Sequence, residues 1–362
     1  MIEIPPDVVA GWPAPNYANP ETKGPALPTI VLLFYVLATS ALGVRLYDKL
    51  KSSRRFFAED YLIILTIVPT TVVTIILLLS KWKYLIDRHT WDLPLQYFRP
   101  AKILATVDFV FFFLASTFVR LSSLAFYRRL VAHTKTRYYK WIIYVTMFVT
   151  AALAVAYISA LLFRCSPVKA AYDFNPPSFY PDYPYHCTNR EMILFTGSLL
   201  STILDFWIML IPIPLVWQLD LPLKQRLGVL GMFLLGLLIC TCGTVKTTYL
   251  YTLFSTYDEV WVSTPIWTLS ALELHIGILC SSTPTVRMVV REHKKYFQER
   301  PLPLNSVIYS NLCLYFLYTC RNVQKIERVR YKTCNTNRPP NTIVYVRSTS
   351  FSIVQGKPDY KN

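Results

Sequence analysis

Charge is scarce in this chain: Asp, Glu, Lys and Arg make up 16% of its 362 residues, against 53% hydrophobic residues. That balance, with a mean hydropathy of +0.35, excludes an ordinary soluble domain, in which roughly 25% of residues are charged. Acidic residues are scarcer still, 21 against 37 Lys and Arg. The basic excess does not point to nucleic acid, because the Lys and Arg residues sit beside apolar runs instead of forming one binding face. Reactive motifs are missing too. There is no GxSxG nucleophile elbow, the strained turn that presents a catalytic serine. The five histidines, His89, His133, His186, His275 and His293, give neither an HxxxH nor an HExxH pair, so no metal site is expected. CxxC spacing and N-x-[ST] sequons are absent as well.

What the chain has instead is length of apolar run. About 20 apolar residues at 1.5 Å each are needed to cross a hydrocarbon core of roughly 30 Å. Seven stretches qualify: 28–48, 60–80, 104–127, 140–163, 192–217, 227–250 and 262–284. They are apolar on all sides, as membrane spans are and amphipathic core helices are not. The fold class is therefore all-α, a seven-transmembrane helix bundle, with residues 1–27 as an N-tail, 28–292 as the bundle and 293–362 as a basic tail. The first run lies too deep in the chain, behind too little positive charge, for a cleaved signal peptide, and reads as a signal anchor.

Orientation follows the Lys/Arg bias of the connecting segments. Residues 49–59, 127–140, 218–226 and 285–300 carry sixteen Lys and Arg, and the N-tail with the other three loops nine. The N-terminus is expected outside and the C-terminus in the cytoplasm, with the plasma membrane as the default location. The segment 127–140, five Lys/Arg and no acid, reads as a topology anchor contacting anionic lipid headgroups, with a cytoplasmic partner as the competing reading. Trp82, Trp91, Trp141, Trp217 and Trp261 lie near the boundaries, as an aromatic belt does. Asp60 is placed to cap the second span, and Pro212 and Pro214 to break the end of the fifth. The tail from 301 holds nine Lys/Arg, two acids and no sustained period, and is expected to lack a stable fold.

Cys165 and Cys187 flank the loop between the fourth and fifth spans, on the outer side, where an oxidising compartment permits a disulfide. Closing that loop removes roughly 3 kcal/mol of unfolded-chain entropy and pins the loop over the bundle mouth. Cys240, Cys242 and Cys280 fall inside spans and read as buried thiols.

An ionisable group in hydrocarbon is a functional candidate by default, because it is costly unless paired. Asp108 and Arg120 lie in the third run, Asp205 in the fifth, Lys246 in the sixth, and Glu273 with His275 in the seventh. At 1.5 Å per residue, Asp108 and Lys246 fall roughly 6 Å below the outer end, and Glu273, Asp205 and Arg120 roughly 17, 20 and 24 Å below it. Two layers are predicted: an outer Asp108–Lys246 pair, and a deeper set in which Arg120 faces two carboxylates and one of these carries a proton. These groups serve either as structural ion pairs or as a polar ligand site.

"DRHTWDLP", residues 87–94, is the densest cluster of polar side chains. Following the second span on the outer side, it is expected to form a lid or ligand gate with His89 and Asp92 facing the bundle mouth and Trp91 at the interface. A purely structural brace is the alternative.

Six stretches in order, "RLYDKLKSSRRFFAEDYLIIL", "RHTWDLP", "RLSSLAFYRRL", "FRCSPVKAAYD…C", "ILDFWIMLIPIPLVWQLDLP" and "IWTLSALELHIGILCSSTPTVR", resemble the fungal rhodopsin-like integral membrane proteins. That family includes Pth-type receptor-like and satratoxin-cluster type members. The resemblance covers residues 28–292 and implies a seven-helix bundle that senses extracellular cues, some members lying in secondary-metabolite gene clusters. It carries over His89, Trp91, Asp92, Cys165, Cys187, Asp205, Pro212, Pro214 and Glu273. Arg120 stands where the family more often has Lys, Lys246 where Arg is common, and Ser201 and His275 where Asn is usual. Retinal is not expected as a cofactor, since residues 262–286 contain no lysine for a Schiff base. A small-molecule receptor is the leading expectation; an intramembrane enzyme using Asp205 and Glu273 as acid and base, or a transporter, remain open.

Overall fold

Seven helices long and apolar enough to cross a membrane run through the computed structural model of the protein. It describes residues 10–17, 19–51, 55–131, 137–168, 186–217 and 223–299. Residues 1–294 form one compact unit and 295–362 a second, of which only the end of the last helix is described. Of the expected basic tail, residues 293–299 continue the last helix, while 300–362 and most of the loop between Cys165 and Cys187 lie outside the described residues.

The spans are Ala26–Lys51, Ala58–Trp82, Phe98–Val131, Arg137–Leu162, Arg190–Pro214, Leu230–Thr252 and Glu259–Val286. They are helical because a bilayer offers no partner to an unpaired backbone group, so each segment must satisfy its own N–H and C=O groups. Two interruptions have a sequence cause. The second span breaks at Thr66, between helices Ala58–Leu65 and Ile67–Trp82, because Pro69 has no N–H to offer the turn before it. Pro212 does the same in the fifth span, where helix Arg190–Leu210 ends at Ile211 and a short helix, Pro212–Trp217, follows. Beyond the helices, the described residues hold a two-stranded bridge, Cys165–Ser166 against His186–Cys187, antiparallel. A disulfide joins Cys165 to Cys187 across it.

The third and seventh spans are the most buried, and the first, fourth and sixth the least. Apolar side chains such as Leu33, Val36, Phe148 and Val155 point outward, a face that lipid covers. The main apolar core packs Phe109, Phe112, Leu161, Leu194, Trp267 and Leu274 from the third to seventh spans. The helices that carry Asp108, Arg120, Glu273 and His275 are thus the central ones, which is why these side chains end up away from lipid.

Asp60 does more than cap. Its Oδ2 accepts the Phe57 N–H at 3.0 Å, closing the helix start from the third helical position. Its Oδ1 accepts from Nε and Nη2 of Arg45 at 3.0 and 2.9 Å, and Lys49 approaches Oδ2 at 2.9 Å. Arg45 also donates to the Ser281 carbonyl at 2.6 Å, tying the first, second and seventh spans at this end.

Candidate ligand site and its lid

The deep charges converge on one cluster. Arg120 grips Asp205 with two parallel bonds, Nε to Oδ1 at 2.7 Å and Nη2 to Oδ2 at 2.8 Å, the fork geometry that makes arginine–carboxylate pairs strong. Nη2 also donates to the Ser201 hydroxyl at 2.6 Å and lies 3.6 Å from Oε1 of Glu273. The opposite oxygen of Glu273 accepts from the Lys246 ammonium at 2.5 Å, and that ammonium sits 4.1 Å from the centre of the Phe112 ring, a cation–π contact. Two cations therefore meet two carboxylates.

This corrects the expected layering in two respects. Lys246 does not pair with Asp108; its four-carbon stem carries the ammonium inward to Glu273. Counting residues locates backbone atoms and misses that reach. With Lys246 in the cluster, Asp205 and Glu273 each have a cationic partner, so neither is the carboxylate left over. The one left over is Asp108, which is 1% exposed and has neither oxygen hydrogen-bonded among the described residues.

His275 stands apart from the cluster. Two positions along a helix from Glu273, it points to another face. Its Nε2 meets the Thr74 hydroxyl at 3.1 Å and its ring packs edge-on to Tyr35, toward the first and second spans. Close helix approach frames the charged set. A Cβ on Gly277 would lie 2.9 Å from the Val119 side chain, and one on Gly243 2.8 Å from Thr202 Oγ1, so glycine lets the third and seventh, and the fifth and sixth, spans come together.

At the end of the bundle where the second span finishes, residues 87–94 lie against both the N-tail and the head of the last helix. His89 is sandwiched between Trp91 and Trp261, ring centres 4.5 and 4.0 Å away and nearly parallel. Its Nδ1 meets Oδ2 of Asp258 at 2.5 Å, while Oδ1 of Asp258 accepts from the Thr90 N–H and hydroxyl at 2.9 and 2.7 Å. Asp92 accepts the Asn16 N–H at 2.8 Å, so it holds the N-tail instead of facing the mouth. Lys81 bridges Asp87 at 3.3 Å and donates to the Gly24 carbonyl. Lys23 lies over Trp261, and burial pushes its ammonium pKa below the usual lysine value against the pull of Asp258. Under this layer a cavity of about 20 Å³, bordered by Lys23, Leu77, Lys81, Asp87, Thr264 and Trp267, has room for one water and no metabolite. Among the described residues, these contacts hold segment 87–94 in place against the N-tail and the start of the last helix.

Asp258 and Lys23, which hold the 87–94 segment, are residues that sequence reasoning missed. Asp258 carries a signal, an acidic residue just before an apolar helix, where it caps the first turn; Lys23 carries none. Among the described residues no three His, Cys, Asp or Glu side chains are grouped to hold a metal.

The sequence profile of the fungal rhodopsin domain matches residues 44–292. Among curated proteins the chain is similar to "Fugralins biosynthesis cluster protein 2" of Gibberella zeae, 22% identical over 76% of this chain and 68% of that one. It is also similar to "Wortmanamides biosynthesis cluster protein C" of Talaromyces wortmannii, 26% identical over 48% of this chain and 45% of that one. "Receptor GIN3" of Arthrobotrys oligospora is 24% identical over 73% of this chain and 62% of its own. The matched regions thus span 45% to 68% of these relatives' lengths. No solved structure matches.

Proposed function

Because the chain belongs to the fungal rhodopsin domain family, we propose that it is a receptor-like membrane protein of secondary metabolism. Its ligand is a small molecule that enters at the outer end when residues 87–94 lift, and it presents a hydrogen-bond donor or a cationic group to Asp108. Plasma-membrane location with the N-terminus outside belongs to the same reading, as does a cytoplasmic partner that reads the bundle from its inner end. One observation carries the proposal: Asp108 is buried with no hydrogen-bond partner among the described residues, while Arg120, Asp205, Lys246 and Glu273 are all paired. A lone carboxylate in an apolar interior is costly, and a ligand donor relieves that cost. Relatives named as a receptor and as metabolite-cluster proteins support the class. The reading involves no retinal, since the seventh span offers no lysine.

The test is binding of metabolite extracts to the purified protein, wild type against Asp108→Asn. Saturable binding lost in the variant, with thermal stability kept or raised, is the expected result; binding that the substitution leaves unchanged sinks the proposal. Deleting the gene separates the classes further: altered transcripts favour a receptor, one accumulating precursor an enzyme, and failed uptake in vesicles a transporter.

A further inference from the structure

A second cavity, of about 340 Å³, lies at the other end of the bundle from the lid, between Phe57, Glu59, Arg128, Arg129, Lys140 and Tyr144. Its size is at the low end of the roughly 300–1,000 Å³ usual for small-molecule sites, which suits a headgroup better than a whole metabolite. Its charge is one-sided. Glu59, 3% exposed, is satisfied by Arg129 at 2.9 Å, and its backbone carbonyl is held by the Ser122 hydroxyl at 2.8 Å. Arg129 is further fixed over the Phe57 ring, 4.7 Å from its centre. Arg128 and Lys140 have no carboxylate partner among the described residues. Three cations against one carboxylate leave two positive charges facing the cavity.

The surroundings say how deep the cavity sits. Tyr138, Trp141 and Tyr144, on the span that supplies Lys140, are all exposed, and exposed tyrosine and tryptophan mark headgroup level. Further along the same helix, Val145, Phe148 and Val155 point outward, an apolar track leading from the cavity toward the middle of the bilayer.

We propose that this cavity binds a phospholipid whose headgroup ends in a phosphate monoester. The monoester, with a charge of about −1.5 to −2 at neutral pH, matches the two unpaired cations; a phosphodiester headgroup leaves one of them unanswered. Arg128 and Lys140 hold the phosphate, and the acyl chains lie along Val145, Phe148 and Val155. The site is independent of the outer ligand site. It touches the network at this end of the bundle, because Glu59 Oε1, bound to Arg129, is also 3.8 Å from Arg45, which holds the Ser281 carbonyl of the seventh span.

The experiment uses the full chain in phosphatidylcholine nanodiscs doped with phosphatidic acid or, in parallel, phosphatidylserine, with retained lipid counted by native mass spectrometry. Phosphatidic acid is expected to be retained over phosphatidylserine. Arg128→Gln with Lys140→Gln is expected to reduce its retention about tenfold or more, given the worth of a basic residue at a charged membrane surface. Should that pair fail to fold, each single substitution is measured, with a smaller loss expected from each. Glycerol 3-phosphate, the same headgroup without chains, is expected not to displace the lipid at matched concentration. Equal retention of the two lipids, retention unchanged by the substitutions, or displacement by glycerol 3-phosphate overturns the proposal.

Discussion

Arg120 is the residue on which the buried charge cluster turns, since among the described residues it approaches both Asp205 and Glu273. Replacing it with methionine leaves Asp205 without its cation, and breaking a buried pair from one side costs about 3–5 kcal/mol. The expected result is a clear fall in the thermal unfolding midpoint of the detergent-purified protein. Removing both charges, Arg120→Met with Asp205→Leu, is expected to recover most of that loss, because an apolar pair of similar volume is often as stable as the ion pair it replaces. Sequence reading found all four charged members of this cluster, because an ionisable residue inside an apolar run is conspicuous. It placed Arg120 against Asp205 and Glu273 but misassigned the partner of Lys246, because a lysine side chain carries its charge well away from its backbone position. It also missed Arg45. Arg45 lies near the end of the first run, and only the fold shows it buried at 3% exposure against Asp60.

Among the elements, the contact between the third and seventh spans depends on a glycine. Gly277→Ala is expected to destabilise by about 1–3 kcal/mol, the usual effect of overpacking, because the new Cβ falls on Val119. Gly43→Ala, with nothing within 4 Å of the added carbon, serves as the control. There alanine is expected to stabilise the first helix by roughly 0.5–1 kcal/mol, and parallel melting curves compare the two. The lid allows a similar separation of roles. If His89→Ala folds normally and loses ligand response, the loop is a gate; if the variant fails to fold, it is a brace. Cys165→Ser should cost roughly 3 kcal/mol if restraint of the unfolded chain dominates, seen as a lower midpoint matched by wild-type protein under reducing agent. The spans were legible because bilayer thickness fixes their length. Their ends run on into the interface, as in Phe98–Val131 against an expected 104–127, where hydropathy no longer marks the boundary. The partners of the lid were not legible, since Asp258 is 169 residues from His89 and nothing local links them.

For the whole molecule, the charge bias of the loops predicts sidedness. An epitope tag at the N-terminus is expected to be stained on intact cells and one at the C-terminus only after permeabilisation; the reverse pattern overturns the orientation. One end of the bundle carries segment 87–94, held by hydrogen bonds and stacked rings, and the other is rich in Lys and Arg. The third and seventh spans, the most buried of the seven, carry Arg120, Glu273 and the Ser281 contact between them. The stacking of His89 between Trp91 and Trp261 also has an optical consequence. An imidazole stacked face to face between two indoles is a contact quencher of their fluorescence, so the protein carries its own unlabelled reporter of lid position. Opening should raise and shift the emission of Trp91 and Trp261, and substituting both with phenylalanine should abolish that change while the other tryptophans still fluoresce.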